Sequence, residues 1–225
     1  MLFRKPAISA RPLILALMVA SSAWAVSACA PIVLGSAYVG TMAATDRRTV
    51  GIQVEDKNIE LKASNRLSGR YGDKGHINVN AYNRKVLLTG EVPDEAAKRD
   101  AEEQVRGVEN IRGIVNELQV GIPTSLATRS NDVFIEGKIK ASLVDAKDLF
   151  ANSFRITVEN GVAYLMGRVT EREGKRGAEI AAGVSGVKKV VKVFDYITEE
   201  ELQDLSKVKA EQDQTDASSQ PAGGR

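Results

Sequence analysis

Apolar residues recur at every second position through "INVNAYNRKVLLTGEV", Ile77 to Val92, and again through "FRITVENGVAYLMGRV", Phe154 to Val169. In the first stretch they are Ile77, Val79 and Ala81, then Val86, Leu88 and Val92; in the second, Phe154, Ile156 and Val158, then Ala163, Leu165 and Val169. Period two in paired runs, interrupted by "YNRK" or "ENG", predicts a β-hairpin with one face on a core. The period then changes. "PDEAAKRDAEEQVRG" sets Ala97, Ala101 and Val105 at i, i+4 and i+8 behind Pro93, and "TEREGKRGAEIAAGVSG" holds the same place after the second hairpin, so a helix follows each. A β-rich run, "VENIRGIVNELQV" or "VKKVVKVFDYIT", closes each unit, and a helix opens each, with Ile59, Lys62 and Leu67 answering Ile135, Lys138 and Leu143.

The chain therefore reads as an internal repeat of helix, strand, strand, helix, strand, an α+β fold in which two helices cover one face of a three-stranded mixed sheet. The expected domains are residues 55–122 and 130–198. Residues 199–225, with "KAEQDQTDASSQPAGGR", are polar and rich in Gly, Ser and Pro near the end, so a disordered tail is expected. At the other end, Arg4, Lys5 and Arg11 precede the apolar run "LILALMVASSAWAV", and small residues follow; residues 1–28 read as an export signal. The run is too short for a comfortable span of about 20 residues. Residues 29–54 are small-residue rich without a clear period and are expected to be a flexible tether.

Charge alters one inference. The formal +2 of the whole chain becomes 28 basic against 29 acidic residues once the signal is removed, so composition provides no argument for nucleic acid as a partner. Candidate chemistry is sparse. His76 is the single histidine and is expected to be a solvated strand-edge residue; the glycines of "GRYGDKG" lack the strand before and the Lys-Ser/Thr after that a phosphate loop needs. Glu171 and Glu173 read as a mixed-charge helix start, so neither a catalytic residue, a metal site nor a cofactor is expected.

The opening helix of the second unit is placed from Asp132, a favourable N-cap residue, with Ile135, Ile139 and Leu143 as its core stripe. Phe134 then lies about 140° from that stripe, on a face with Lys138 and Ala141, where the first unit has Asn58 and a polar outer face. Two readings compete. Val133 and Phe134 could pack on the first unit or the linker. Alternatively Phe134 inserts at the headgroup level of a bilayer while Lys138, and Lys140 from the flank, meet anionic phosphates.

Three resemblances bear on this. "VSAC", Val26 to Cys29, resembles a bacterial lipobox, which implies cleavage before Cys29 and acylation of its sulfur. The order αββαβ and "ITVENGVAYLMGRV" resemble the BON domain of bacterial envelope proteins; the first copy departs in carrying Arg84 where the turn glycine is expected. Lipobox, tether and two copies together resemble the dual-BON-domain outer-membrane lipoproteins of Gram-negative bacteria, the DolP (formerly YraP) family. That resemblance implies a protein anchored through acylated Cys29 on the periplasmic face of the outer membrane. It implies binding of anionic phospholipid, phosphatidylglycerol or cardiolipin, through Val133, Phe134, Lys138, Lys140 and Ala141. A role in outer-membrane integrity, at division sites, is implied as well. The alternative expectation is an adaptor that docks envelope-assembly or peptidoglycan-remodelling proteins on the Val133 and Phe134 patch.

Overall fold

The computed structural model describes residues 46–207; the export signal, Cys29, most of the tether and the end of the tail lie outside the described residues. The first repeat runs α1 (Val50–Tyr71), β1 (His76–Tyr82), β2 (Lys85–Val92), α2 (Glu95–Arg106), β3 (Gly113–Asn116) and the short β4 (Gln119–Val120). The second runs α3 (Leu126–Asp145), β5 (Phe154–Glu159), β6 (Val162–Val169), α4 (Glu171–Ala182) and β7 (Lys189–Tyr196). In each, the hairpin is antiparallel and the last strand lies parallel to the middle one, giving the expected mixed sheets. The first sheet differs in its third strand: β3 stops and β4 resumes the pairing with β2, while Leu118 between them is fully buried.

The period-two residues do what their spacing predicts. Ile59, Ala63 and Leu67 of α1 and Ala101 and Val105 of α2 close over Ala81, Val86, Leu88 and Val92; Ile135, Ile139 and Leu143 of α3 and Ala181 of α4 close over Phe154, Ile156, Leu165 and Val169. Gly90 stands opposite Ile77 with φ of +108°, and a Cβ there would lie 2.0 Å from the His76 carbonyl oxygen. Glycine is therefore required where the two strands approach.

The opposite sheet faces also find cover, in each other. Tyr82 and Leu87 of the first repeat meet Tyr164, Met166 and Val193 of the second in a separate buried cluster, with Val115, Val162 and Val191 at its margin. The two sheets thus pack back to back, with a helical layer outside each. Around this apolar centre runs a polar rim: Arg155 reaches Glu60 (2.7 Å) and Asn80 (2.9 Å), and Lys85 and Arg112 converge on Asp195. An apolar centre inside a charged rim is the anatomy of a protein–protein interface.

Three expected boundaries shift. The helix α3 starts at Leu126 with Ser125 as N-cap, its Oγ accepting from the Thr128 amide at 3.2 Å. Asp132 is instead buried within the helix, where its carboxylate accepts from the backbone amides of Asn160 (2.8 Å) and Gly161 (2.9 Å) in the β5–β6 turn. The acid has been recruited by tertiary amides rather than by its own helix. Second, the end of the expected tether is folded: Thr49 caps α1, which begins at Val50, and it continues to Tyr71 through the first glycine of the expected flexible link. Third, residues 199–207 of the expected tail are helical, capped by reciprocal bonds between Thr198 and Glu201.

Candidate functional site

The outer face of α3 follows from where its inner face is pinned. Asp132, Ile135, Ile139 and Leu143 are held by the turn and the core, so residues half a turn away must point outward. Leu126, Val133, Phe134 and Val144 do so, with Gly137 and Ala141 between them completing an exposed apolar stripe. Phe134 is 66% and Val133 71% exposed, so the reading that they pack on the first repeat is wrong; the two repeats meet through their sheets instead. A 20-residue helix is about 30 Å long, so the stripe is an extended ridge rather than a point.

The flanking charges differ in their freedom. Lys140 is exposed at one edge. At the other, the Lys138 ammonium donates to the Ser185 carbonyl and lies 5.0 Å from the Phe134 ring centre, a cation–π distance. It thereby fixes Phe134 from the side while leaving the ring exposed. Glu136, which opposes the lysines in sequence, is half-buried; burial pushes its carboxyl up, and a hydrogen bond from the Val158 amide holds it against β5. The outer face of α1 is less polar than expected, since Val50, Val54 and Leu61 are exposed, but Lys57 and Asn58 interrupt the row where α3 has Val133 and Phe134.

Sequence reasoning missed the residues that set the two repeats against each other. Arg47, within the expected tether, forms a two-pronged pair with the buried Glu173 of α4 (2.7 and 2.6 Å) and donates to the Arg168 carbonyl at 2.8 Å. Arg48 pairs with Asp46 and Asp56 and stacks 4.1 Å over the Tyr82 ring. "DRRT" is thus a strap across the seam, tied to the second repeat by one arginine and to the first by the next. Its readable signal was two consecutive arginines beside an acid just before the first helix. His76 is also not the solvated residue expected: its side chain is 19% exposed and lies at the seam, 3.6 Å from Glu91 and 3.5 Å from Glu159 across the repeats.

Residues 55–122 and 131–198 each match the BON domain. Over 171 residues the chain is 35% identical to outer membrane lipoprotein DolP of Haemophilus influenzae, spanning 75% of this chain and 89% of that one. The chain belongs to the family of dual-BON-domain outer-membrane lipoproteins. It is also 34% identical over 154 residues to the 21 kDa hemolysin of Actinobacillus pleuropneumoniae, covering 68% of this chain and 79% of that protein. The osmotically-inducible protein Y of Escherichia coli is 25% identical over 189 residues, 77% of this chain and 94% of that one.

Both BON copies use one device to join helix and hairpin. Asp56 of α1 accepts from the amides of Asn83 (2.8 Å) and Arg84 (2.7 Å), as Asp132 of α3 does from Asn160 and Gly161. The turns match in backbone as well: φ is +52° and +62° at Asn83 and Arg84, +50° and +77° at Asn160 and Gly161. Arg84 therefore holds the left-handed conformation that glycine holds in the second copy, and the Asp56 carboxylate helps offset its cost of roughly 1–2 kcal/mol. The departure from the BON pattern changes the residue and keeps the turn. Among the described residues, no helix is long and apolar enough to cross a membrane.

Proposed function

We propose that this BON-domain lipoprotein is held on the periplasmic face of the outer membrane by acylated Cys29 and that the outer ridge of α3 recognises anionic phospholipid, with no catalytic step. The observation that carries the reading is the exposed Phe134, flanked by Val133 and Val144 and braced from the side by Lys138. Burying one such ring is worth about 1.5–3 kcal/mol, and a lysine near an anionic surface adds about 1 kcal/mol. Reversible contact of that strength suffices when an acyl anchor already confines the protein to the surface. Because Lys138 is engaged by Ser185, Lys140 is the stronger candidate for meeting phosphatidylglycerol or cardiolipin headgroups. A contribution to outer-membrane integrity, at division sites, belongs to the same proposal and rests on family resemblance.

Flotation of the unanchored Cys29→Ser chain with vesicles tests it. The chain is expected to float with phosphatidylglycerol vesicles at low salt and to remain behind with zwitterionic ones. Phe134→Ala is expected to weaken flotation several-fold while leaving the melting temperature unchanged, since the side chain is exposed. A wild-type chain that ignores anionic vesicles refutes lipid recognition and leaves the ridge as a docking face for envelope proteins.

A further inference from the structure

The back-to-back packing of the two BON copies brings together three side chains that neither copy could gather alone. His76 begins β1, Glu91 lies opposite it on β2, and Glu159 ends β5 of the second copy. Their ligand atoms, His76 Nδ1 and one carboxylate oxygen from each glutamate, all lie within 4.8 Å of one another. Both carboxylate side chains are more than nine-tenths buried, and His76 Nδ1 is itself inaccessible to solvent. That nitrogen makes no hydrogen bond of ordinary length; the Glu91 and Glu159 carboxylates face it at 3.6 and 3.5 Å.

Two buried carboxylates that face one imidazole nitrogen at distances too long for good hydrogen bonds leave room between them for a positive charge. We propose that His76, Glu91 and Glu159 bind one divalent cation of zinc-like ligand preference, which fastens the first BON domain to the second. The donor set is one imidazole nitrogen and two carboxylate oxygens, with water to complete the shell. This is chemistry suited to Zn²⁺, and the nitrogen disfavours Mg²⁺ and Ca²⁺. Three atoms at these separations can be reached from one point at bond lengths near ~2.0–2.2 Å with side-chain shifts of a few tenths of an ångström.

The second layer is in place. Asn78 donates to the other oxygen of Glu159 at 2.7 Å, and the Thr124 amide and hydroxyl both donate to Glu91, at 3.0 and 3.3 Å. Such outer contacts orient ligating carboxylates. Arg129 of α3 contributes an opposing positive charge and Asp132 a further negative one that is engaged by the β5–β6 turn, so the cluster as a whole keeps a negative balance. The partly exposed edge of His76 supplies a way in for the ion.

Isothermal titration with ZnCl₂ tests this on the acylated chain in detergent, purified without a polyhistidine tag and first stripped with chelator. The expected result is one Zn²⁺ per chain, a Tm raised by several degrees, and no comparable response to Mg²⁺ or Ca²⁺. His76→Ala and Glu159→Gln are each expected to weaken binding at least tenfold and to abolish the Tm response. Asn78→Ala, which removes only an orienting contact, is expected to weaken it roughly tenfold. Circular dichroism establishes that each variant is folded before titration. Failure of the stripped wild-type chain to bind zinc stoichiometrically overturns the proposal, as does binding that survives both His76→Ala and Glu159→Gln in folded protein.

Discussion

Replacing Arg47 with alanine isolates the contribution of the strap. Glu173 sits with a side chain 2% exposed, its two oxygens held by Arg47 at 2.6 and 2.7 Å and one of them also by the Thr170 amide at 3.0 Å. In Arg47→Ala the capping bond to Thr170 remains, but the carboxylate stays buried without its counter-charge. Removing one partner of a buried pair costs about 3–5 kcal/mol. Water can enter the space the guanidinium leaves, so the lower end, about 3 kcal/mol, is the expected loss. For a folded body of this size that is roughly 6–12 °C in Tm.

Thermal and urea denaturation followed by circular dichroism at pH 7 give the comparison. A second substitution sharpens it: Glu173→Gln in the Arg47→Ala background is expected to regain about 1–2 kcal/mol, because a buried neutral amide costs less than a buried unpaired carboxylate. The pH dependence has a definite sign. Burial alone would raise the Glu173 carboxyl, but the Arg47 hydrogen bonds outweigh it and hold the group below the usual carboxylate range. The pair's contribution is therefore full above the unfolded value of about 4.3 and is lost as pH falls through the folded one. Arg47→Ala is expected to lose this acid sensitivity. A variant that melts within about 1 °C of wild type at pH 7 would refute the assignment of the strap as a structural tie.

Three further outcomes are expected. Gly90→Ala sets a Cβ 2.0 Å from the His76 carbonyl oxygen at a φ of +108°, so a loss on the order of 3 kcal/mol or more is expected in urea unfolding. Asp132→Ala leaves the Asn160 and Gly161 amides without their acceptor and is expected to cost about 2–4 kcal/mol, whereas Val133→Ala beside it changes stability by less than about 0.5 kcal/mol. Met166→Ala opens a cavity between the two sheets; about 2–5 kcal/mol of stability should disappear, and calorimetry should resolve two transitions as the BON copies uncouple.

Much of the fold is legible along the chain, for a local reason. A period of two over Ile77–Val92 and Phe154–Val169, followed by a period near four through Ala97, Ala101 and Val105, states which side of each element is buried, because side-chain direction follows from backbone geometry alone. The order of elements and the outward direction of Phe134 follow from that spacing. Periodicity does not say what covers the second face of a sheet. The uninterrupted apolar run Val162–Met166 was the available sign that both faces of β6 are buried, as strands covered on both sides lose their alternation. The roles of Asp132, Arg47 and His76 could be assigned only by the tertiary structure. Their partners, Asn160 and Gly161, Glu173, and Glu159, lie far along the chain, and a charge or a hydrogen-bonding group is assigned its work by whatever the fold brings within about 3 Å of it. Local geometry thus settled the elements, and the packing of two copies through their sheets settled how the remaining polar groups are used.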